Sequence, residues 1–410
     1  MSTLKELLKD VPVEWKKLWE VTIWDKKFNS VEKYKQPKTI KYNYLLASEI
    51  QLLKSGKGNI RLLSTNLTNW WTSEEIAGEI VSEGEIIAIP WGGNPIVQYY
   101  KGKFITGDNR IAVVNDQNYL STKFLYYYLN ENISLISSFY RGSGIKHPSM
   151  YNVLDLDVPI PSLKIQQEIV RFLDGLSEQN KALTTALAQE IDQRKKQYEY
   201  YREELFRFEG KDVEWKTLGD TKYFKVSSGG TPSKAKNDYW ENGTIPWLRS
   251  ESCNNSSINK SNDFITEIGL KNSSAKILEP FSTLIALVGA TIFKTGYLQF
   301  EASTNQNIAS IKSLNSEFVK DKYLFIYITS LYQELKLKMK DYGMLNLTTL
   351  RSFRIPVPSI QEQERIVHLL DQFDEATKNI VAALEKEIEL RNKQYEYYRN
   401  LLLCFPKENK

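Results

Sequence analysis

Residues 158–174, VPIPSLKIQQEIVRFLD, return with few changes as residues 355–371, IPVPSIQEQERIVHLLD. The offset of 197 then holds without a gap to a second shared stretch, KQYEYYR, at 196–202 and again at 393–399. Repeats on this scale decide an architecture, because each copy must fold in the same way. The chain is therefore a tandem duplication in which a variable region precedes a well-kept one.

A further match marks where each copy begins. VEWKKL at 13–18 corresponds to VEWKTL at 213–218, at an offset of 200, so only the variable parts have changed length. The repeat thus predicts four segments, two variable domains and two kept spacers, with bounds 1–161, 162–210, 211–358 and 359–410.

Each kept region predicts one long helix. Paired prolines impose an extended approach, and Ser162 and Ser359 then stand where an N-cap belongs. Apolar positions step by four and three in alternation with one doubled four, which is a heptad seam with a stutter. The predicted seam comprises Ile169, Leu173, Leu176, Leu183, Leu187, Ile191, Tyr198 and Tyr201 in the first copy, and Ile366, Leu370, Phe373, Ile380, Leu384, Ile388, Tyr395 and Tyr398 in the second.

The length of these helices favours mutual pairing over packing on one domain. About 40 residues at ~1.5 Å per residue make a rod of roughly 60 Å, more than a small domain covers. Two copies in one chain favour antiparallel pairing about a pseudo-twofold axis. An ordinary amphipathic helix packed on its own domain remains the alternative at this point.

The variable regions mix strand and helix signals. Residues 283–293 and 297–300 have the pattern of strands around a glycine turn, and residues 322–340 have that of an amphipathic helix. The predicted fold class is α+β, with two globular domains separated by two long antiparallel coiled-coil helices in a pseudo-twofold duplication.

Composition excludes several classes of protein. Two cysteines and two histidines, all far apart, provide neither a disulfide framework nor zinc-ligand spacing. No apolar run approaches 18 residues and no signal peptide is evident, so we expect a cytoplasmic protein without membrane contact. The net charge of +4 divides into +2 and +5 in the variable regions and −1 and −2 in the kept ones. Positive charge therefore favours an anionic partner at the variable domains.

Catalytic motifs are missing from the sequence. It has no Pro-Pro pair for an adenine methyltransferase, no glycine-rich dinucleotide turn, and no phosphate-binding G-x-x-x-x-G-K-[ST]. His147 is interpreted as a loop residue beside Pro148, and His368 as a residue of the second helix. We therefore predict no catalytic residues, no metal site and no cofactor bound by this chain.

Polar loops remain as candidates for contact with nucleic acid. Small residues let the backbone approach phosphates, basic residues neutralise them, and side-chain amides read adenine edges. An ordinary solvated loop is the competing interpretation for each. The predicted DNA-binding residues are Asn109, Arg110, Arg141 and Lys146 in the first domain, and Gly229, Gly230, Thr231, Ser233, Lys234, Arg249, Asn305, Gln306 and Asn307 in the second.

The whole chain resembles the specificity subunit of type I restriction–modification systems. The order variable–kept–variable–kept carries the resemblance, together with motifs that singly are modest. They are PIPS (159–162), PVPS (356–359), IQQEIVRFLD (165–174), QEQERIVHLLD (361–371), the repeated QYEYYR, GGTPS (229–233), YWENGTIPWL (239–248), GLKNSSAKIL (269–278) and ALVGATI (286–292). The first domain departs from the pattern, since it has no GGTPS counterpart.

The resemblance implies a function that spacing alone does not show. Each domain would read one half of a bipartite double-stranded DNA target, and the helices would set the gap between the halves. Two methyltransferase subunits would dock on the helices, bringing S-adenosylmethionine, and restriction motor-nuclease subunits would bring ATP and magnesium. The alternatives are a coiled-coil assembly protein with protein-binding lobes, and, disfavoured by the missing motifs, a stand-alone nuclease.

Overall fold

The computed structural model describes residues 11–208, 213–338 and 343–406. The chain divides into two compact units, Met1–Leu187 with Lys386–Lys410, and Ala188–Glu385. Each unit thus combines one variable region with a segment of both long helices. The segment boundary predicted after residue 210 lies outside the described residues.

The first unit is a mixed sheet with helices against it. Its strands are β1 (Glu14–Lys17), β2 (Thr22–Trp24), β3 (Ile60–Leu63), β4 (Trp70–Thr72), β5 (Ser82–Pro90), β6 (Gln98–Thr106), β7 (Asn109–Val114), β8 (Tyr140–Arg141), β9 (His147–Pro148) and β10 (Asp157–Ile160). Its helices are α1 (Leu18–Val21), α2 (Ala47–Leu52), α3 (Glu74–Ala77), α4 (Thr122–Glu131), α5 (Ile133–Ser138), α6 (Met150–Leu154) and the start of α7 (Leu163–Leu205), with 3-10 turns at Lys33–Lys35 and Gly78–Ile80. Six strands pair in the order β2-β7-β5-β6-β3-β4.

Strand β5 shows how this sheet divides its apolar side chains. Ile87 and Ile89 pack with Phe124 of α4 in the main core, while Ile86 and Ala88 pack in a smaller cluster. Successive side chains of a strand point to opposite faces, so the continuous apolar run IIAIP at 86–90 is buried on both faces of β5.

The second unit has its own sheets and core. Its strands are β11 (Glu214–Thr217), β12 (Phe224–Ser228), β13 (Ile245–Leu248), β14 (Ser256–Ile258), β15 (Asp263–Ile265), β16 (Thr283–Ala286), β17 (Thr295–Leu298), β18 (Ser303–Thr304), β19 (Ile308–Ser313) and β20 (Arg354–Val357). Its helices are the end of α7, α8 (Glu267–Lys271), α9 (Asp321–Ser330), α10 (Tyr332–Lys338), α11 (Leu347–Arg351) and the start of α12 (Ile360–Leu403), with 3-10 turns at Asn237–Tyr239, Ser250–Ser252 and Gly289–Thr291. One sheet has the order β12-β19-β16-β17-β14, and another β15-β13-β18.

The repeated sequence motifs are hydrogen-bonded partners. In the first unit β1 pairs antiparallel with β10, with Trp15 opposite Pro159. In the second unit β11 pairs with β20 in the same way, with Trp215 opposite Pro356. The kept VEWK and PIP/PVP motifs therefore close each variable region at its two ends, immediately before a long helix begins.

A buried glutamine fixes the first turn of each long helix. Gln166 accepts a hydrogen bond from Ser121 N at 2.8 Å and donates to the carbonyls of Tyr119 and Pro161. In the second unit Gln363 repeats the three bonds with Lys320 N, Phe318 O and Pro358 O. Both side chains are 0% exposed. We call these two residues the glutamine clamps.

The two long helices run antiparallel within each unit. In the first unit Phe172 packs edge-on against Tyr398, and Asn180 donates to Asn392 Oδ1 at 3.0 Å. In the second unit Tyr201 stacks on Phe373 with the rings 5.2 Å apart. The two seams of the sequence prediction lie on these helices. Near the domains they are buried, as at Ile169, Leu173, Ile366 and Leu370, whereas Leu183 and Ile380 remain 38% and 39% exposed.

Candidate nucleic-acid interface

Two exposed cations of the first unit lie in one short β-hairpin, one on a strand and one in the connecting loop. Strand β8 pairs with β9, so Arg141 faces His147 across the ladder, and Lys146 lies in the connecting loop. Arg141 and Lys146 are both exposed, and neither forms an ion pair with a described residue. Free, solvated cations on a loop are available to phosphate groups.

Arg110, in contrast, is buried and already neutralised. It is 4% exposed, its Nη2 lies 2.9 Å from Asp108 Oδ1, and its guanidinium lies 4.4 Å from the centre of the Trp91 ring. The ion pair and the cation–π contact hold Arg110 against the sheet. In this arrangement it orients Trp91 rather than reaching outward.

Asn109 is placed differently from the sequence expectation of direct base contact. It is 1% exposed, and its amide nitrogen donates to Leu63 O at 3.0 Å and to Thr106 Oγ1 at 3.1 Å. A side chain whose donors are used inside the protein has no surface to present to a base. Asn109 therefore stabilises the turn between β6 and β7.

The two glycines of the second unit are required by the protein itself. A Cβ atom on Gly229 would lie 2.1 Å from Thr304 O, and one on Gly230 would lie 2.4 Å from the carbonyl carbon of Ser274. Trp247 Nε1 also donates to Gly230 O at 3.0 Å. Both glycines are buried. The sequence predicts that their small size lets the backbone approach a phosphate, whereas in the structure it is required for backbone packing.

The exposed part of the loop begins at Ser233, three residues after the second glycine. Thr231 donates a short hydrogen bond to Gln306 Oε1, which joins the loop to the turn between β18 and β19. Ser233 and Lys234 are exposed, and Lys234 forms no ion pair with a described residue. A hydrogen bond with the Tyr239 hydroxyl raises the pKa of neighbouring Lys236, so its positive charge is secured.

Arg249 is half-exposed and held by a bidentate ion pair. Its Nε lies 2.9 Å from Asp263 Oδ2, its Nη2 lies 3.1 Å from Oδ1, and the guanidinium lies over the Trp247 ring at 5.7 Å. Bidentate pairing fixes the plane of the guanidinium. The guanidinium has five N–H donors, so those that Asp263 does not use remain available to a phosphate or a guanine while the ion pair fixes the orientation of the side chain.

The three consecutive amides differ in exposure. Asn305 is 9% exposed, and its Oδ1 accepts from Asn307 N at 3.2 Å, so it shapes the turn. Gln306 is exposed and Asn307 is half-buried. Gln306 and Asn307 are therefore the amides of this set that retain surface for base contact.

Sequence reasoning missed the residues that organise the first-domain loops. His147 Nδ1 lies 2.7 Å from Trp91 O, and their rings lie 5.5 Å apart. Gly93 N donates to Lys146 O at 3.0 Å, which ties the turn after β5 to the β8–β9 loop. The WGG at 91–93 was the available signal, since an aromatic beside two glycines at a strand end is typical of a packed turn.

Among the described residues, these loops contain neither a set of metal ligands nor a reactive thiol. They contain no group of three or more His, Cys, Asp and Glu side chains arranged to hold a metal ion. Burial raises the pKa of the Cys253 thiol to about 12, so this cysteine stays protonated and unreactive.

Comparison with known proteins identifies the family. Residues 28–193 and 210–390 match the family described as type I restriction modification DNA specificity domain. The chain belongs to this family. It is 36% identical over 427 aligned residues to the specificity subunit of a type I restriction enzyme of Escherichia coli, covering 99% of this chain and 98% of the relative. It is 29% identical to a putative type I restriction enzyme specificity subunit of Haemophilus influenzae, covering 98% of both chains.

Solved structures share the fold. A chain from a study of complex assembly and conformational transition in a type I restriction–modification system matches with a TM-score of 0.70 at 17% identity, covering 96% of this chain and 98% of that one. The HsdS subunit of Thermoanaerobacter tengcongensis matches with a TM-score of 0.56 at 16% identity, covering 96% and 97%. The predicted α+β fold with two long helices and the predicted specificity-subunit family are both confirmed, and the reading as a coiled-coil assembly protein is not favoured. Within the described ranges, none of the helices is long and apolar enough to cross a membrane.

Proposed function

We propose that this member of the type I specificity family is a non-catalytic subunit whose two domains each read one half of a bipartite double-stranded DNA target. One observation carries the proposal. The two units share their closing strands and glutamine clamps, yet present different exposed side chains on their loops, such as Arg141 and Lys146 in one and Lys234 in the other. Two domains that share a fold but expose different loop side chains can bind DNA in the same way and recognise different base sequences.

The proposal includes the subunits with which this chain assembles. Two methyltransferase subunits dock on the long helices, holding S-adenosylmethionine, and restriction subunits add ATP and magnesium, in the cytoplasm. The helices set the half-site spacing. Support for docking comes from the repeated QYEYYR motif, whose Tyr200 and Tyr397 are 58% and 57% exposed. Exposed aromatics at equivalent positions of two helices provide anchors for a pair of identical subunits.

Docking is tested by copurification. Tyr200→Ala and Tyr397→Ala together should abolish capture of a tagged methyltransferase subunit by this chain, because both anchors are lost. Tyr34→Ala, at a tyrosine of the first domain that is 65% exposed and lies outside the long helices, is the control and should leave capture unchanged. Capture that survives both tyrosine changes would contradict docking at this motif.

DNA reading is tested by comparing methylated adenines in the host genome with and without this gene. We expect a two-part motif with a fixed gap to disappear with the gene. In binding assays Lys234→Ala should weaken cognate and random duplexes alike and flatten the salt dependence. Asn307→Ala should cost about 1–3 kcal/mol on the cognate duplex only. Equal losses on both duplexes for both variants would contradict this division of roles.

A further inference from the structure

In both units an exposed residue lies beside the turn that follows a central strand, three positions before a short helix. In the first, the β8–β9 loop lies on the turn after β5, where Gly93 N donates to Lys146 O and His147 Nδ1 lies 2.7 Å from Trp91 O. His147 stands three residues before the start of α6 at Met150. Its side chain is exposed although its ring is held at one nitrogen.

Met344 occupies the corresponding position of the second unit. It stands three residues before the start of α11 at Leu347, pairs with Val288 in an antiparallel bridge after β16, and is 58% exposed. Next to it, Leu345 N donates to Leu287 O at 2.8 Å. A histidine and a methionine therefore occupy equivalent positions of the repeat, 197 residues apart, one beside the turn after β5 and the other beside the turn after β16, although their hydrogen bonds to these turns differ.

The ring of His147 is fixed in orientation. A carbonyl oxygen only accepts hydrogen bonds, so the proton between His147 and Trp91 O belongs to Nδ1. The neutral ring then has Nε2 as an acceptor, and no described residue bonds to it. Gly92 packs against the ring, since a Cβ there would lie 3.2 Å from His147 Cε1. The exposed cations Arg141 and Lys146 lie on the same ladder and loop.

We infer that His147 and Met344 are equivalent specificity-determining residues, one for each half-site; this inference rests on the proposed function. The Nε2 atom of His147 accepts a hydrogen bond from an exocyclic amino group, of adenine or of cytosine, in the half-site read by the first domain. Met344 makes an apolar contact in the other half-site, for which the thymine methyl group is the matching partner.

The test removes the Nε2 acceptor of His147 and preserves the hydrogen bond that holds the loop to Trp91 O. In His147→Asn the side-chain amide takes over the bond to Trp91 O, while Nε2 is lost. His147→Met copies the second unit, and Met344→His makes the converse exchange. His368→Met, on the exposed surface of α12, is the matched control. Each chain is purified with its methyltransferase subunits, compared for thermal stability, and measured on the cognate and on a random duplex at one salt concentration; methylated sites are sequenced in the host.

We expect His147→Asn and His147→Met to lower cognate affinity at least about tenfold with random-duplex affinity unchanged. Methylation should become degenerate at one base of one half-site. Met344→His should relax one base of the other half-site, and His368→Met should do neither. Wild-type behaviour of His147→Asn, equal losses on both duplexes, or relaxation of the same half-site by both exchanges would overturn the inference. A wild-type complex that methylates no bipartite site would instead overturn the proposed function.

Discussion

Removing a glutamine clamp should loosen the junction between a domain and its long helix. In the second unit Gln363 bonds to Pro358 O, directly after β20, and to both Phe318 O and Lys320 N in the segment that leads into α9. Gln363→Ala removes all three bonds at once. The same change at Gln166 removes the equivalent bonds in the first unit.

The magnitude follows from what the substitution leaves behind. Each bond is 2.9 Å long in the second unit, and Gln363 is fully buried. A buried donor or acceptor left without a partner costs about 1–3 kcal/mol, and carbonyls recover partners more easily than N–H groups. We therefore expect Gln363→Ala to destabilise the second unit by about 2–5 kcal/mol.

Hydrogen exchange and thermal unfolding of the assembled complex provide the assay. The Lys320 amide should exchange much faster in Gln363→Ala, and the peptide containing it should show the change first. Gln361→Ala removes an exposed glutamine two residues earlier on α12 and is the matched control; Gln167→Ala, next to Gln166, is the control in the first unit. If Gln363→Ala exchanges and unfolds like Gln361→Ala, the clamp does not stabilise the junction.

Three other outcomes follow from the structure. Four residues inserted after Gln189 add ~6 Å of helix. With ~3.4 Å per base pair, methylome sequencing should show the same half-sites with a gap about two base pairs longer. Glu131→Gln removes the charge partner of Arg399, whose side chain is 20% exposed, and should lower the free energy of unfolding of the first unit by about 2 kcal/mol in denaturant titration. Iodoacetamide at pH 8 should label exposed Cys404 in the native protein and Cys253 only after unfolding, as mass spectrometry of peptides would show.

The sequence predicted the long helices because their determinants are local and duplicated. Proline pairs, a serine and a regular apolar spacing sufficed to place helices from Leu163 and from Ile360. The variable regions were harder. The strand pattern at 283–293 predicts a longer strand than the structure contains. Strand β16 ends at Ala286, and the chain turns at Gly289, where φ is +78°. The helix predicted over 322–340 is broken at Leu331, and its last two residues lie outside the described ranges.

The candidate DNA-binding residues were still harder to predict, because the exposure of a side chain depends on contacts with residues distant in sequence. Asn109 and Asn307 have the same side chain. Asn109, however, is buried and donates a hydrogen bond to the carbonyl of Leu63, which is 46 residues away in sequence. Gly229 cannot be replaced by a larger residue because the backbone of Thr304, 75 residues away, occupies the space of a side chain. Composition identifies a polar loop but not which of its members face solvent, so the burial of Asn109, Gly229 and Asn305 could not be predicted from the sequence.

The junctions show where the two copies have diverged. Arg399 and Arg202 are equivalent in the repeat, at the offset of 197. In the first unit Arg399 pairs with Glu131, the last residue of α4. The last residue of α9 is Ser330, whose hydroxyl donates to Tyr327 O, and the buried Nε of Arg202 has no hydrogen-bond partner among the described residues.

This divergence constrains how recognition domains can be exchanged. The closing strands and glutamine clamps are common to both units, so any domain bearing them can adopt the same junction. The ion pair is different, because the acid is on the variable domain and the arginine is on the kept helix. A domain without an acid at the end of this helix would leave Arg399 partly buried and without an ion pair. Arg202 likewise forms no ion pair with a described residue, and its guanidinium lies 5.8 Å from the centre of the Tyr198 ring. Loss of a buried partner is destabilising, so domains that replace the first one should retain an acidic residue at the position of Glu131, whereas replacements of the second need not.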